Sequence, residues 1–101
     1  MAAALNKILH VEDELDIQEI VKLALEVIAG FSVETCSSGR EALGKAAQFQ
    51  PDLFLLDVMM PGMDGPETLR ALREEAMFVD TPVIFMTAKV MEDEVSRFKD
   101  I

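Results

Sequence analysis

Residues 53–65 constrain this chain more than any other stretch. Leu53, Phe54, Leu55 and Leu56 form an unbroken apolar run that stops at Asp57. Pro51 bounds the run upstream and Pro61-Gly62 bounds it downstream. Four apolar residues between turn signals predict a short strand buried on both faces, as in the centre of a parallel sheet. Pro61, Gly62 and Gly65 then predict a turn, and Pro66 suits the first position of a following helix. Asp57 is thereby expected at the carboxyl end of a strand beside a tight loop. In open α/β sheets that edge is where ligands bind.

The same arrangement recurs twice. Ile8-Leu9-His10-Val11 leads to Glu12-Asp13, in a strand predicted over Lys7 to Glu12. Val83-Ile84-Phe85-Met86, opened by Pro82, leads to Thr87-Ala88. Between these runs lie helical patterns. A helix is predicted over Leu15 to Ala29, with Ile17, Ile20, Val21, Ala24 and Ile28 on its buried face and Gly30 ending it. A strand follows over Phe31 to Cys36. Ser38-Gly39-Arg40-Glu41 is a capping-box pattern that opens a helix to about Phe49, with Ala42, Leu43, Ala46 and Ala47 inward. The helix after Pro66 turns Leu69 and Leu72 inward and leaves Arg70, Arg73, Glu74 and Glu75 in solvent. A last helix is expected from Met91 to the chain end at Ile101.

This βαβαβαβα order implies a doubly wound α/β domain with a parallel sheet and right-handed crossovers. Neighbouring parallel strands end at one edge, so Glu12, Asp13, Asp57 and the Thr87 hydroxyl are expected to converge there. Carboxylates about 5 Å apart repel by roughly 3 kcal/mol per pair at an effective dielectric of 20. Such a group favours a hard divalent cation, and a few carboxylates plus water suit Mg²⁺ better than a Ca²⁺ cage. With the cation present, Asp57 can act as a nucleophile toward a phosphoryl group.

Composition narrows the partners. With 101 residues the chain has room for one domain. Nineteen acidic against nine basic residues give a net charge of −10, which argues against direct contact with nucleic acid or an anionic membrane. Cys36 is the single cysteine, so no internal disulfide can form, and the usage fits the cytoplasm. No apolar run approaches membrane-spanning length. Cys36 is expected to be a small buried hydrophobe, His10 a core histidine, Asp64 a turn residue, and Lys89 a solvated loop lysine.

Taken together, Val11-Glu12-Asp13-Glu14, the stretch from Asp57 to Gly65, and Met86-Thr87-Ala88 resemble the receiver domains of two-component response regulators. The resemblance covers essentially the whole chain and implies a flavodoxin-like sheet of order 2-1-3-4-5. It implies that Asp57 accepts a phosphoryl group from a sensor histidine kinase or phosphotransfer protein. It also implies Mg²⁺ held by Asp13, Asp57 and the Met59 backbone carbonyl, with Glu12 acting through water. Thr87, with Ala88, would contact the phosphoryl group and drive the switch. The domain would then be a phosphoacceptor, with at most slow self-dephosphorylation, rather than an enzyme.

Receiver domains continue with a fifth strand, a lysine followed by proline, and a fifth helix. The residues here end at Ile101 before these features. The expectation is a C-terminally incomplete receiver with sheet order 2-1-3-4 and a bare edge on strand four, forming a homodimer or higher oligomer. A phosphorylation-independent interaction scaffold is the competing reading. A haloacid-dehalogenase-type phosphatase wants a second aspartate two residues past the nucleophile, where Met59 stands. A dinucleotide-binding domain wants a glycine-rich turn, where Glu12-Asp13-Glu14 stands.

Overall fold

A computed structural model describes residues 5–86. Four strands run through it: β1 (Lys7–Val11), β2 (Ser32–Cys36), β3 (Leu53–Asp57) and β4 (Val83–Met86). They form one parallel sheet in the order β2-β1-β3-β4. Three helices alternate with them: α1 (Leu15–Leu23), α2 (Gly39–Phe49) and α3 (Gly65–Leu72). The helix expected from Met91 lies outside the described residues.

Period-two alternation along the central strands divides the core between two faces. Leu9, Val11, Phe54 and Leu56 point to the face covered by α2 and α3, where they meet Ala42, Ala46, Leu72 and Phe78. Phe54 and Phe78 pack edge to face, with ring centroids 5.3 Å apart. Ile8, Val33 and Leu53 point to the other face and meet Leu25, Phe31 and Leu55. Helices on both faces explain why β3 reads as an unbroken apolar run and β1 as one interrupted only by His10 between Ile8 and Val11. Cys36 is buried as expected, and burial pushes its thiol up to about 12.

Local chemistry sets the element ends. Ser38 Oγ accepts from Glu41 N at 3.1 Å and starts α2. Glu41 returns its carboxylate to the amide of Ser37, one residue earlier than a full capping box requires. Gln50 ends α2 in the left-handed region at φ 55°. Asp52 Oδ2 accepts from the amides of Lys7 and Asn6 at 2.8 and 2.9 Å, which pins the start of β1 to the start of β3. Those two N–H groups, Lys7's first, hold the Asp52 carboxyl below the usual carboxylate range.

The first helix departs from expectation. It changes to a π turn over Ala24–Ile28, with Ala29 N bonded to Ala24 O, before Gly30 reverses the chain at φ 79°. An extra residue in a turn rotates those after it by about 100°. Ile28 accordingly leaves the predicted buried face and is 83% exposed, while Ile20, ahead of the π turn, is 68% exposed because the helix turns the side with Ile17, Val21 and Ala24 inward. Leu25 takes the inward place instead. Ala47 of α2 is likewise exposed rather than inward. β4 is an edge strand among the described residues, so the burial expected on both its faces is absent, and Ile84 is 54% exposed.

Arg73 is the other correction. Instead of facing solvent, its Nη1 donates to the carbonyls of Phe78, at 2.7 Å, Val79 and Thr81. It thereby ties the end of α3 to the loop entering β4. Arg73→Ala is expected to destabilise the domain by about 2 kcal/mol, since one charged donor serves three acceptors. Arg73→Lys should recover a substantial part of that loss, because all three bonds leave the single nitrogen Nη1 and a lysine ammonium also carries three N–H donors. Urea midpoints of the three chains would check both statements.

Candidate functional site

The sheet order places a topological switch point between β1 and β3, because the chain leaves β1 toward β2 on one side and β3 lies on the other. A crevice opens beyond the carboxyl ends of strands at such a point. Asp57 is the last residue of β3, and Glu12-Asp13 directly follow β1. Glu12, Asp13 and Asp57 each offer a carboxylate oxygen there, all within 4.8 Å of one another. Glu12 and Asp57 are essentially buried, while Asp13 is half-buried at the mouth.

Backbone amides orient two of the three acids. Glu14 N donates to Glu12 Oε2 at 3.0 Å, and Met59 N donates to Asp57 Oδ1 at 3.3 Å. Gln18, one turn into α1, donates through Nε2 to the Glu12 carbonyl and to Ser37 Oγ. Its role was not visible in the sequence, since only the fold brings it over the Glu12 turn. Three carboxylates this close repel by roughly 3 kcal/mol per pair at an effective dielectric of 20. The burial of two of them removes the water that would otherwise screen that repulsion. All the donors are hard oxygens, so the set fits a hard divalent cation that keeps part of its water shell.

The loop after Asp57 is built as the sequence implied, with one refinement. Asp64 is the N-cap of α3 in a complete capping box: Glu67 N donates to Asp64 Oδ1 at 2.8 Å and Asp64 N donates to Glu67 Oε1 at 3.2 Å. Gly65 therefore takes the first helical position and Pro66 the second. Met60 is buried beneath the loop, whereas Met59 is 55% exposed. An open cleft of about 520 Å³ lies alongside, lined by Val58, Met59, Met60, Pro61, Asp64 and Pro66. It shares the loop but not the acids.

Below the acids, His10 is fully buried on β1, and neither ring nitrogen has a hydrogen-bond partner among the described residues. Burial lowers its pKa to about 4, with the Asp57 charge opposing the shift. It is a core histidine, as expected. Thr87, Ala88 and Lys89 lie outside the described residues.

A parallel sheet of this order with an acid cluster at its switch point is the architecture of a receiver, and the comparisons agree. The response regulator receiver domain family matches residues 8–101, and the chain belongs to that family. Such domains are signalling domains of two-component systems rather than classical enzymes. The chain is 43% identical over 84 residues to the alkaline phosphatase synthesis transcriptional regulatory protein PhoP of Bacillus subtilis, covering 83% of this chain and 34% of that protein. It thus spans about a third of that relative's length. The chemotaxis protein CheY4 of Vibrio cholerae superposes with a TM-score of 0.77 at 35% identity, covering 91% of this chain and 80% of that one. The receiver domain of sensor histidine kinase PA1611 from Pseudomonas aeruginosa superposes at 0.76 with 29% identity, covering 84% and 69%. That structure holds a magnesium ion in its active site cleft. No helix among the described residues is long and apolar enough to cross a membrane.

Proposed function

We propose that this chain is a phosphoacceptor switch in which Asp57 takes a phosphoryl group from a phosphohistidine of a sensor histidine kinase or phosphotransfer protein. The observation that carries the reading is the gathering of Glu12, Asp13 and Asp57 at the switch point with ligand atoms within 4.8 Å. Asp13 and Asp57 hold Mg²⁺ together with the Met59 carbonyl, and Glu12 acts through water. The bound ion supplies charge neutralisation, so that an anionic carboxylate can approach an anionic phosphoryl group.

The chain's own residues do the rest. The Met59 amide on Oδ1 orients the Asp57 carboxylate. One Asp57 oxygen attacks phosphorus while the phosphorus–nitrogen bond to the donor imidazole breaks. The nitrogen keeps the bonding electrons and takes a proton from solvent, and an acyl phosphate remains on Asp57. Thr87, with Ala88, contacts the transferred oxygens and passes the change to the segment that follows β4. The surplus of acid over base suits a cytoplasmic protein partner rather than nucleic acid.

Incubation with acetyl phosphate and Mg²⁺, followed by intact mass, tests the reading. One phosphoryl group should be added, and EDTA should prevent it. No label at saturating acetyl phosphate would overturn it and favour a phosphorylation-independent interaction module.

A further inference from the structure

We infer that Gly65 is a positioning residue for the acceptor site, setting where the Asp57 carboxylate and the Met59 carbonyl stand relative to the acids of β1. This rests on the phosphoacceptor reading of the same site. Gly65 N donates to the Val58 carbonyl at 3.0 Å, while Val58 N donates to the Met86 carbonyl of β4 at 3.1 Å. The Asp57–Val58 backbone is thus gripped between β4 on one side and the first residue of α3 on the other. The fit leaves no room for a side chain. A Cβ on Gly65 would overlap the Asp57 carbonyl oxygen, and it would stand 3.0 Å from Val58 Cα and 3.1 Å from the Asp57 carbonyl carbon. These neighbours are backbone atoms within or beside a strand, so no flexible side chain can yield.

The consequence follows from how the site is assembled. Glu12 and Asp13 belong to β1 and its turn, whereas Asp57 and Met59 belong to the gripped segment. A group added at Gly65 must push that segment as a unit, and so separates the two halves of the ligand set. Mg²⁺ demands near-ideal octahedral geometry at about 2.0–2.1 Å, and a site performs only when held within about 0.5 Å of its productive arrangement. The capping box of Asp64 and Glu67 fixes the first turn of α3 against this seat from the far side. Thr68 Oγ1, donating to the Asp64 carbonyl at 2.8 Å, holds the same turn.

Gly65→Ala should weaken Mg²⁺ binding, read by calorimetry, about tenfold or more, the range found when groups supporting metal ligands are lost. Its labelling by acetyl phosphate should also stay slower than wild type when Mg²⁺ is saturating, because the carboxylate itself has moved. Arg73→Ala, which loosens the opposite end of α3, provides a chain of reduced stability in which Mg²⁺ affinity should stay within about twofold of wild type. If Gly65→Ala does not fold, Asp64→Ala decides. It keeps the glycine but frees the first turn, and should weaken Mg²⁺ binding in the same direction by a smaller factor. Unchanged affinity and labelling in Gly65→Ala, or unchanged affinity in Asp64→Ala, would overturn the inference and leave the phosphoacceptor reading standing. A wild-type chain that binds no Mg²⁺ and takes no label would overturn that reading instead.

Discussion

An Asp57→Asn chain is expected to take no phosphoryl label from acetyl phosphate at any Mg²⁺ concentration. The amide matches the carboxylate in shape and keeps an oxygen for the Met59 amide, which reaches Oδ1 at 3.3 Å in the native chain. What it lacks is the negative charge and the nucleophilic oxygen. The substitution therefore separates chemistry from folding, and the apo protein should gain stability. Removing one of three acids within 4.8 Å relieves two repulsive pairs. Each pair is worth roughly 3 kcal/mol at an effective dielectric of 20, and weakening the charge-assisted bond from the Met59 amide offsets part of that gain, so a net increase of about 1–2 kcal/mol or more is expected.

The metal response should move the opposite way. Mg²⁺ at about 100 times its dissociation constant would stabilise the wild type by about 2.7 kcal/mol, because it binds only the folded chain. In Asp57→Asn the same concentration should stabilise far less. Urea midpoints with Mg²⁺ and with EDTA, beside intact mass, read all three effects. Retained labelling would place the acceptor on another acid, with Asp13 at the mouth the first to examine.

Strands whose burial is complete were the easiest to read. The run Leu53–Leu56 is apolar throughout and Ile8–Val11 is apolar but for His10, because both sheet faces are covered, and each run ends at a buried carboxylate that suits a cation. Ser38 and Glu41 announce a helix start through chemistry local to a few residues. Features that depend on what lies across the fold were harder. β4 carries the same kind of apolar run as β3, so its own residues do not mark it as an edge; the expected order 2-1-3-4 does, and the sheet has that order among the described residues. The first helix carries apolar residues around most of its circumference, so periodicity alone does not choose a face, and a π turn then changes the register. Arg73 and Gln18 act through long side chains that reach backbone carbonyls on other segments. Gly65 is visible in the sequence as a turn glycine, but its contact with the Asp57 carbonyl exists only once α3 is laid against β3.

Acidification should cost the domain a large share of its stability between pH 6.5 and about 4, through His10. This side chain is fully buried on β1, beside Thr35 of β2 in the strand register. Neither its ring nitrogens nor Thr35 Oγ1 has a hydrogen-bond partner among the described residues. Burial lowers the folded pKa from 6.5 to about 4, against the opposing pull of the Asp57 charge. Below pH 6.5 the unfolded chain binds a proton at His10 that the folded chain refuses, so stability falls as pH drops and levels off only near pH 4. Across that window the loss is about 3 kcal/mol. The depressed Asp52 carboxyl adds its own loss at more acid pH, where the unfolded chain begins to protonate it and the folded chain resists.

His10→Val separates the two windows. Valine suits a central strand and presents no polar atom, so urea midpoints between pH 7 and 4.5 in EDTA should fall steeply for the wild type and shallowly for the variant. The variant should be the more stable chain at pH 5. Parallel curves would mean that His10 is protonated or hydrogen-bonded in the folded state. Combining the substitution with Asp57→Asn sharpens the test. Asp57 is the charge that holds the imidazole pKa up, so its loss should make folded His10 still harder to protonate. The acid-induced fall of Asp57→Asn should therefore exceed that of the wild type, and shrink to the shallow slope of His10→Val once residue 10 is valine.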